Sequence, residues 1–153
     1  MKNKEGQSLF EIVIAVIIVS VVLIALINLA IVSVGNTNFA KNRNLATKFT
    51  QEASEWLRAE RDKDWNYFVG RATVSSTWCF PAIAWSGAGV HAGVCAGSND
   101  YISGSIFDRS AVFTYDPIVD PNTVRVDVTT TWVDAHGSHV VTTSNILTNW
   151  KGK

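Results

Sequence analysis

The chain has no surplus of charge of either sign: 13 lysines and arginines balance 13 aspartates and glutamates over 153 residues. Nucleic-acid recognition normally rests on an unbalanced basic patch, so no nucleic-acid partner is expected. The basic residues between Lys41 and Arg71 do not change this. Glu52, Glu55, Glu60, Asp62 and Asp64 are interleaved with them, which is the pattern of a solvated helix face. Local catalytic signatures are lacking as well. There is no phosphate-binding loop, no Gly-x-Ser-x-Gly elbow and no His-Glu-x-x-His pair. Gly87, Gly89 and Gly93 do not have the spacing of a dinucleotide fingerprint, and no clear strand precedes them. An enzyme is therefore not expected, and no cofactor is implied.

Cysteine is scarce too. Cys79 and Cys95 are the only two, with fifteen residues between them. On an oxidising side of a membrane they would form a disulfide, worth about 3 kcal/mol from the entropy of the closed loop. A zinc site built from them with His91 and either His136 or His139 is the weaker alternative, because structural zinc sites use closely spaced ligand pairs. His136 and His139 flank a turn and are expected to face water.

Charge is missing altogether from residues 12–34, a run of 23 residues. A helix needs about 20 such residues to cross a bilayer core, and helical backbone satisfies its own polar groups there. The run exceeds the roughly 7 to 15 apolar residues of a secretory signal, so ordinary signal cleavage is disfavoured. Lys2 and Lys4 precede the span, which by the positive-inside tendency keeps the N-terminus in the cytoplasm and exports everything after about Gly35.

Glu11 stands at the start of this run, after only Leu9 and Phe10. An ionisable group at a membrane span is costly and usually has a partner or a function. The plainer explanation is a headgroup-level carboxylate at a helix N-terminus, where the macrodipole favours negative charge. The neighbouring residues bear on the choice. Gly6-Gln7-Ser8-Leu9-Phe10-Glu11, followed by the apolar run, resembles the N-terminus of type IV pilins and pseudopilins.

That resemblance covers roughly the first 35 residues and carries several implications. A prepilin peptidase would cut between Gly6 and Gln7 on the cytoplasmic side and methylate the new amine on Gln7, although the family more commonly has phenylalanine or methionine there. Glu11 would be the fifth mature residue and would pair with the α-amino group of a neighbouring subunit during assembly. The expected partners are the peptidase, other pilin subunits, an inner-membrane assembly platform and membrane lipid. The expected location is the cytoplasmic membrane as a single-pass protein, with an extracytoplasmic head, and then a pilus or pseudopilus. A pseudopilin of a secretion or DNA-uptake machine would share all of this. A rival of another class is an unprocessed single-span protein with an external binding domain.

Beyond the span, Phe39, Leu45, Phe49, Ala53, Trp56 and Leu57 recur at about helical spacing, so the helix is expected to continue to about Trp65, with Gly35-Asn36 as a joint. Such a helix would be on the order of 90 Å long. Residues 71–99 read as an irregular loop pinned by the cysteines. Trp78, Phe80, Trp85 and Tyr101 within and beside it serve either core packing or a contact surface. Strands are expected at 111–115, 124–133 and 139–147, with Val124, Val126, Val128, Thr130 and Trp132 on one face. Residues 134–138 form the hairpin loop, and Trp150 closes the C-terminal edge.

The expected architecture is α+β and pilin-like: a long N-terminal helix packed on a small antiparallel sheet. Its parts are a leader at 1–6, a membrane or filament-core half at 7–35, an amphipathic exported half at 36–66, and a β-rich head at 67–153.

Overall fold

A computed structural model describes residues 5–152, with side chains from Leu9 onward except at Ser98. The first helix, α1, runs from Glu5 to Lys63 and contains 59 residues. No proline occurs before Pro81, so nothing in this stretch removes a helical N–H donor. Isoleucine and valine are mediocre helix formers in water, but an apolar solvent makes the self-satisfied helix the only economical backbone. The hydroxyls in and near the apolar run fold back on the helix itself: Ser20 donates to the Val16 carbonyl at 2.7 Å and Thr37 to that of Ser33 at 2.9 Å. At Gly35 and Asn36, where a joint was expected, the backbone stays helical.

The chain divides into two compact units, residues 1–42 and 43–153. In the first, the side chains from Leu9 to Val34 are exposed all round the helix. The second begins within α1 and holds the core.

The helix ends two residues before the expected Trp65. Asp64 leaves helical geometry at φ −154°, and its carboxylate accepts the Tyr67 N–H at 3.0 Å. This N-cap starts a second helix, α2 (Trp65–Val74), in a segment expected to be head and loop. Five strands follow: β1 (Thr77–Cys79), β2 (His91–Ala92), β3 (Phe107–Thr114), β4 (Thr123–Asp134) and β5 (Gly137–Thr148). They form one antiparallel sheet in the order β2-β1-β3-β4-β5. The three longer strands coincide with the three expected ones, extended by a few residues. The short β1 and β2 lie where irregular loop was expected.

The alternation in β4 works as its sequence implies. Val124, Val126, Val128, Thr130 and Trp132 are buried, while Arg125 and Val133 are exposed. At the β4–β5 hairpin, Asp134 Oδ1 accepts the His136 N–H at 2.7 Å, and Gly137 supplies the positive φ of 119° that closes the turn. Within residues 43–63, Ala46, Thr50, Ala53 and Leu57 recur every three or four residues and are essentially fully buried against the sheet. Ala53 and Leu57 join an aromatic-rich cluster that includes Phe68, Trp78, Phe80, Trp85 and Phe113. Ala46 joins Phe107 and Trp132 in a second cluster, with Leu45 and Phe49 packed against it. The layout is thus α+β, a long N-terminal helix with its later part on a small antiparallel sheet.

Candidate assembly helix and disulfide-closed loop

The sequence points to two places, the start of α1 and the loop between the cysteines. Of the expected leader, residues 1–4 lie outside the described residues. Gly6 and Gln7 lie in the first turns of α1, and Glu11 follows on the same helix with an exposed side chain. From Leu9 onward α1 is long and apolar enough to cross a membrane, and none of its apolar window is buried within the protein. Gly6, Gln7 and Glu11 therefore share one uninterrupted helix with the run that follows them.

The cysteine pair is oxidised. Cys79 and Cys95 form a disulfide with Cα atoms 5.0 Å apart. Cys79 ends β1, so the bridge fastens the far end of the loop to the sheet. The glycines inside serve the loop's path. Gly89 has a φ of 75°, and a Cβ there would come within 2.8 Å of the Asn99 carbonyl oxygen and of Pro81. Any side chain at this position meets both strain and a clash.

Within the loop, Asp100 is nearly fully buried and accepts the Ala96 N–H at 2.5 Å and faces His91 Nε2 at 3.3 Å. The Ala96 N–H, and then His91, hold the Asp100 carboxyl below its ordinary pKa. His91 is shifted upward, first by its bond to the Ala92 carbonyl and then by Asp100. Cys79, His91 and Asp100 bring possible ligand atoms within 4.8 Å of one another. The Cys79 sulfur is spent in the disulfide, however, and supplies no thiolate.

His91 on β2 and His139 on β5 lie at opposite edges of the sheet, so they cannot share an ion. His139 is also less exposed than expected. It stacks on Trp132 with ring centres 5.1 Å apart and contacts Asp134 Oδ1 at 2.9 Å, while His136 is 76% exposed. The His139 bond, followed by the His136 N–H, lowers the pKa of Asp134. The loop aromatics divide: Trp78, Phe80 and Trp85 are buried core, whereas Tyr101 is 38% exposed.

Sequence reasoning missed a polar seam between α1 and the sheet. Arg109, on β3, is 1% exposed. Its Nε donates to the Phe80 carbonyl at 3.0 Å, and its Nη1 to the Phe49 carbonyl at 3.1 Å and to Glu52 at 3.0 Å. Burial pulls its pKa down and Glu52 opposes that shift. Beside it, the Thr50 and Thr130 hydroxyls share a hydrogen bond at 2.8 Å. Asn145 donates to Ser54 at 3.2 Å and accepts from Arg58 at 2.7 Å. The available signal was the threonine in the buried stripe of β4, which needs a polar partner opposite it.

No protein-family model, curated protein or solved structure matches this chain.

Proposed function

We propose that this chain is a structural subunit of the pilin type, made as a prepilin, cut between Gly6 and Gln7, N-methylated on Gln7, and assembled through α1. The observation that carries this reading is the placement of Gly6 and Glu11 on one continuous helix with an uncharged run of 23 residues, followed by a small α+β head. The peptidase removes the leader at the cytoplasmic face and leaves a free amine on Gln7. In the membrane the apolar helix holds the subunit in store. During assembly, contacts with other subunits' helices replace those with lipid.

Glu11 is the register element in this mechanism. A carboxylate entering a low-dielectric filament core is costly, and the cation created by the cut offsets that cost at close range. The head contributes the exposed surface, and the disulfide fits an oxidising exterior. The inner-membrane assembly platform and sister subunits are its partners, whether the fibre is a pilus or a secretion or DNA-uptake pseudopilus.

Mass spectrometry of the membrane form tests the first step. The expected product begins at Gln7 and carries one added methyl group. A chain that keeps its first six residues in cells with active prepilin peptidase would instead be an unprocessed single-span protein. Glu11→Ala and Glu11→Leu should both insert into the membrane and be cut, yet enter filaments poorly. Normal incorporation of both variants refutes the charge-pair step.

A further inference from the structure

We propose that the head binds one zinc ion when its disulfide is reduced, through Cys79, Cys95, His91 and Asp100, and that closing the disulfide expels the ion. The inference stands on the loop alone and does not depend on the pilin-type reading.

The register of the sheet assembles the ligands. Cys79 lies directly opposite His91 where β1 pairs with β2. Side chains opposite one another across antiparallel strands stand on the same face, with Cβ atoms about 4.5–5.5 Å apart. Cys95 follows His91 by four residues, and a single 3-10 turn (Ser98–Asp100) brings Asp100 back to His91. Ligand atoms of Cys79, His91 and Asp100 lie within 4.8 Å of one another, and Cys95 is bonded to the Cys79 sulfur.

The surrounding hydrogen bonds aim the free lone pairs at one place. His91 Nδ1 lies 3.1 Å from the Ala92 carbonyl, which only accepts, so Nδ1 carries the proton of the neutral ring. Nε2 then presents a lone pair to Asp100 Oδ1 at 3.3 Å, one acceptor facing another. Such a contact needs a cation between the two atoms. A proton fills that place in the oxidised chain, but charge-assisted hydrogen bonds are normally shorter, about 2.7–2.9 Å. Tetrahedral zinc, bonded to nitrogen and to carboxylate oxygen at about 2.0–2.2 Å, sets these two atoms about 3.3–3.5 Å apart. Asp100 Oδ2 is held by the Ala96 N–H at 2.5 Å, which leaves Oδ1 for the metal. Both ligands therefore already make the outer hydrogen bond that orients metal-binding imidazoles and carboxylates.

The oxidised chain lacks only the thiolates. A dithiol reductant gives two electrons and two protons, so the S–S bond breaks, two thiols form and the reductant closes its own disulfide. A phosphine does the same and takes its oxygen from water. Zinc then displaces both thiol protons, and two thiolates, a carboxylate and a neutral imidazole complete a four-coordinate site. Zinc–sulfur bonds of about 2.3 Å put each sulfur about 3.5–3.8 Å from the other ligands, a distance that rotation of the released side chains reaches. Oxidation reverses the step: the thiolates lose two electrons, the S–S bond forms and the ion leaves. Zinc thus holds β2 and its loop in place in chains whose cysteines are not yet joined.

The test uses the full-length chain in detergent, reduced with a phosphine that is then removed under nitrogen. Atomic emission after gel filtration should find one zinc per reduced chain and none on the oxidised chain. Cobalt in place of zinc should give thiolate-to-metal charge transfer and the intense visible bands of tetrahedral coordination. His91→Ala and Asp100→Asn should each weaken binding by at least about tenfold, whereas His136→Ala, at the far edge of the sheet, should leave it unchanged. Diamide, a thiol oxidant, should release zinc mole for mole as the disulfide returns.

A reduced chain that binds no zinc, or an oxidised chain that binds it equally, overturns the proposal. Unchanged affinity in either His91→Ala or Asp100→Asn overturns it as well, since the ion is then held without the full ligand set. If reduction alone loosens the head, zinc should restore the near-ultraviolet dichroism of its tryptophans, and failure to restore it counts against the site.

Discussion

Replacing Arg109 by alanine removes a guanidinium that joins three elements: β3, which carries it, the segment after β1 through the Phe80 carbonyl, and α1 through Phe49 and Glu52. The Phe80 and Phe49 carbonyls each lose a charge-assisted bond, worth about 1.5 to 3 kcal/mol. Truncation also leaves a cavity. Against this stands the cost of holding a cation in the core, which the variant no longer bears. The net expectation is a loss of about 3 to 5 kcal/mol for Arg109→Ala, comparable to other large truncations in cores. Arg109→Met, which fills most of the volume and buries no charge, should lose about 1 to 3 kcal/mol. Glu52→Gln should cost only about 1 kcal/mol, because its side chain is 55% exposed and water screens the pair. Near-ultraviolet dichroism of the tryptophans in detergent follows melting of the head. The alanine variant should melt about 10 °C or more below wild type. Wild-type melting of Arg109→Ala, or a larger loss in Glu52→Gln than in Arg109→Met, would refute the view that the carbonyl bonds dominate.

Three further outcomes follow from the geometry. Alkylation of the native protein should add nothing, and two alkyl groups should appear after reduction; Cys79→Ser with Cys95→Ser should cost about 3 kcal/mol by urea titration. Thr50→Val should lose about 1 to 2 kcal/mol by stranding the Thr130 hydroxyl, and adding Thr130→Val should recover much of it, so a cycle without coupling contradicts the bond. For the loop, His91 has a raised pKa, so its contribution is complete below about pH 6.5 and is lost as pH rises through the shifted value; Asp100 has a lowered pKa, so its contribution is complete above about pH 4 and is lost as pH falls. Amide exchange at Ala96 should accordingly be most protected, after correction for intrinsic rates, between those limits, and Asp100→Asn should lower the His91 pKa seen by NMR; an unmoved His91 titration counts against the contact.

What was legible in the sequence was periodic. A run without charge, an apolar spacing of three and four, and strict alternation over 124–133 each impose one backbone on the chain. The head's three longer strands could be read because each is long enough to alternate several times. By contrast, β1 and β2 have three and two residues, too few to show a period. They exist because β1 pairs with the edge of β3, β2 pairs in turn with β1, and the disulfide ties the end of β1 to the chain just after β2. The helix break was also hidden, since Asp64 lies in a run of charges that read as one solvated face, and only its cap geometry separates α1 from α2. Arg109 shows the limit most clearly. In the sequence it follows Asp108 on what looks like a strand margin, whereas alternation from Phe107 through Ala111 and Phe113 puts it on the same inward face. Its place in the core depends on acceptors from residues 49, 52 and 80, far away in the chain.

The chemistry of the helix stripe explains why this seam is polar. Ala46, Ala53 and Ser54 are small, so α1 can approach the sheet closely, but a stripe of small residues alone fits nearly as well after sliding by one turn. The polar pairs remove that ambiguity. A slip of four residues in one direction would bring Ala46 to the place of Thr50, leaving the buried Thr130 hydroxyl without its partner and moving Phe49 and Glu52 away from Arg109. Each stranded group costs about 1 to 3 kcal/mol, and the buried cation costs more. The seam therefore fixes the axial position of α1 on its own sheet.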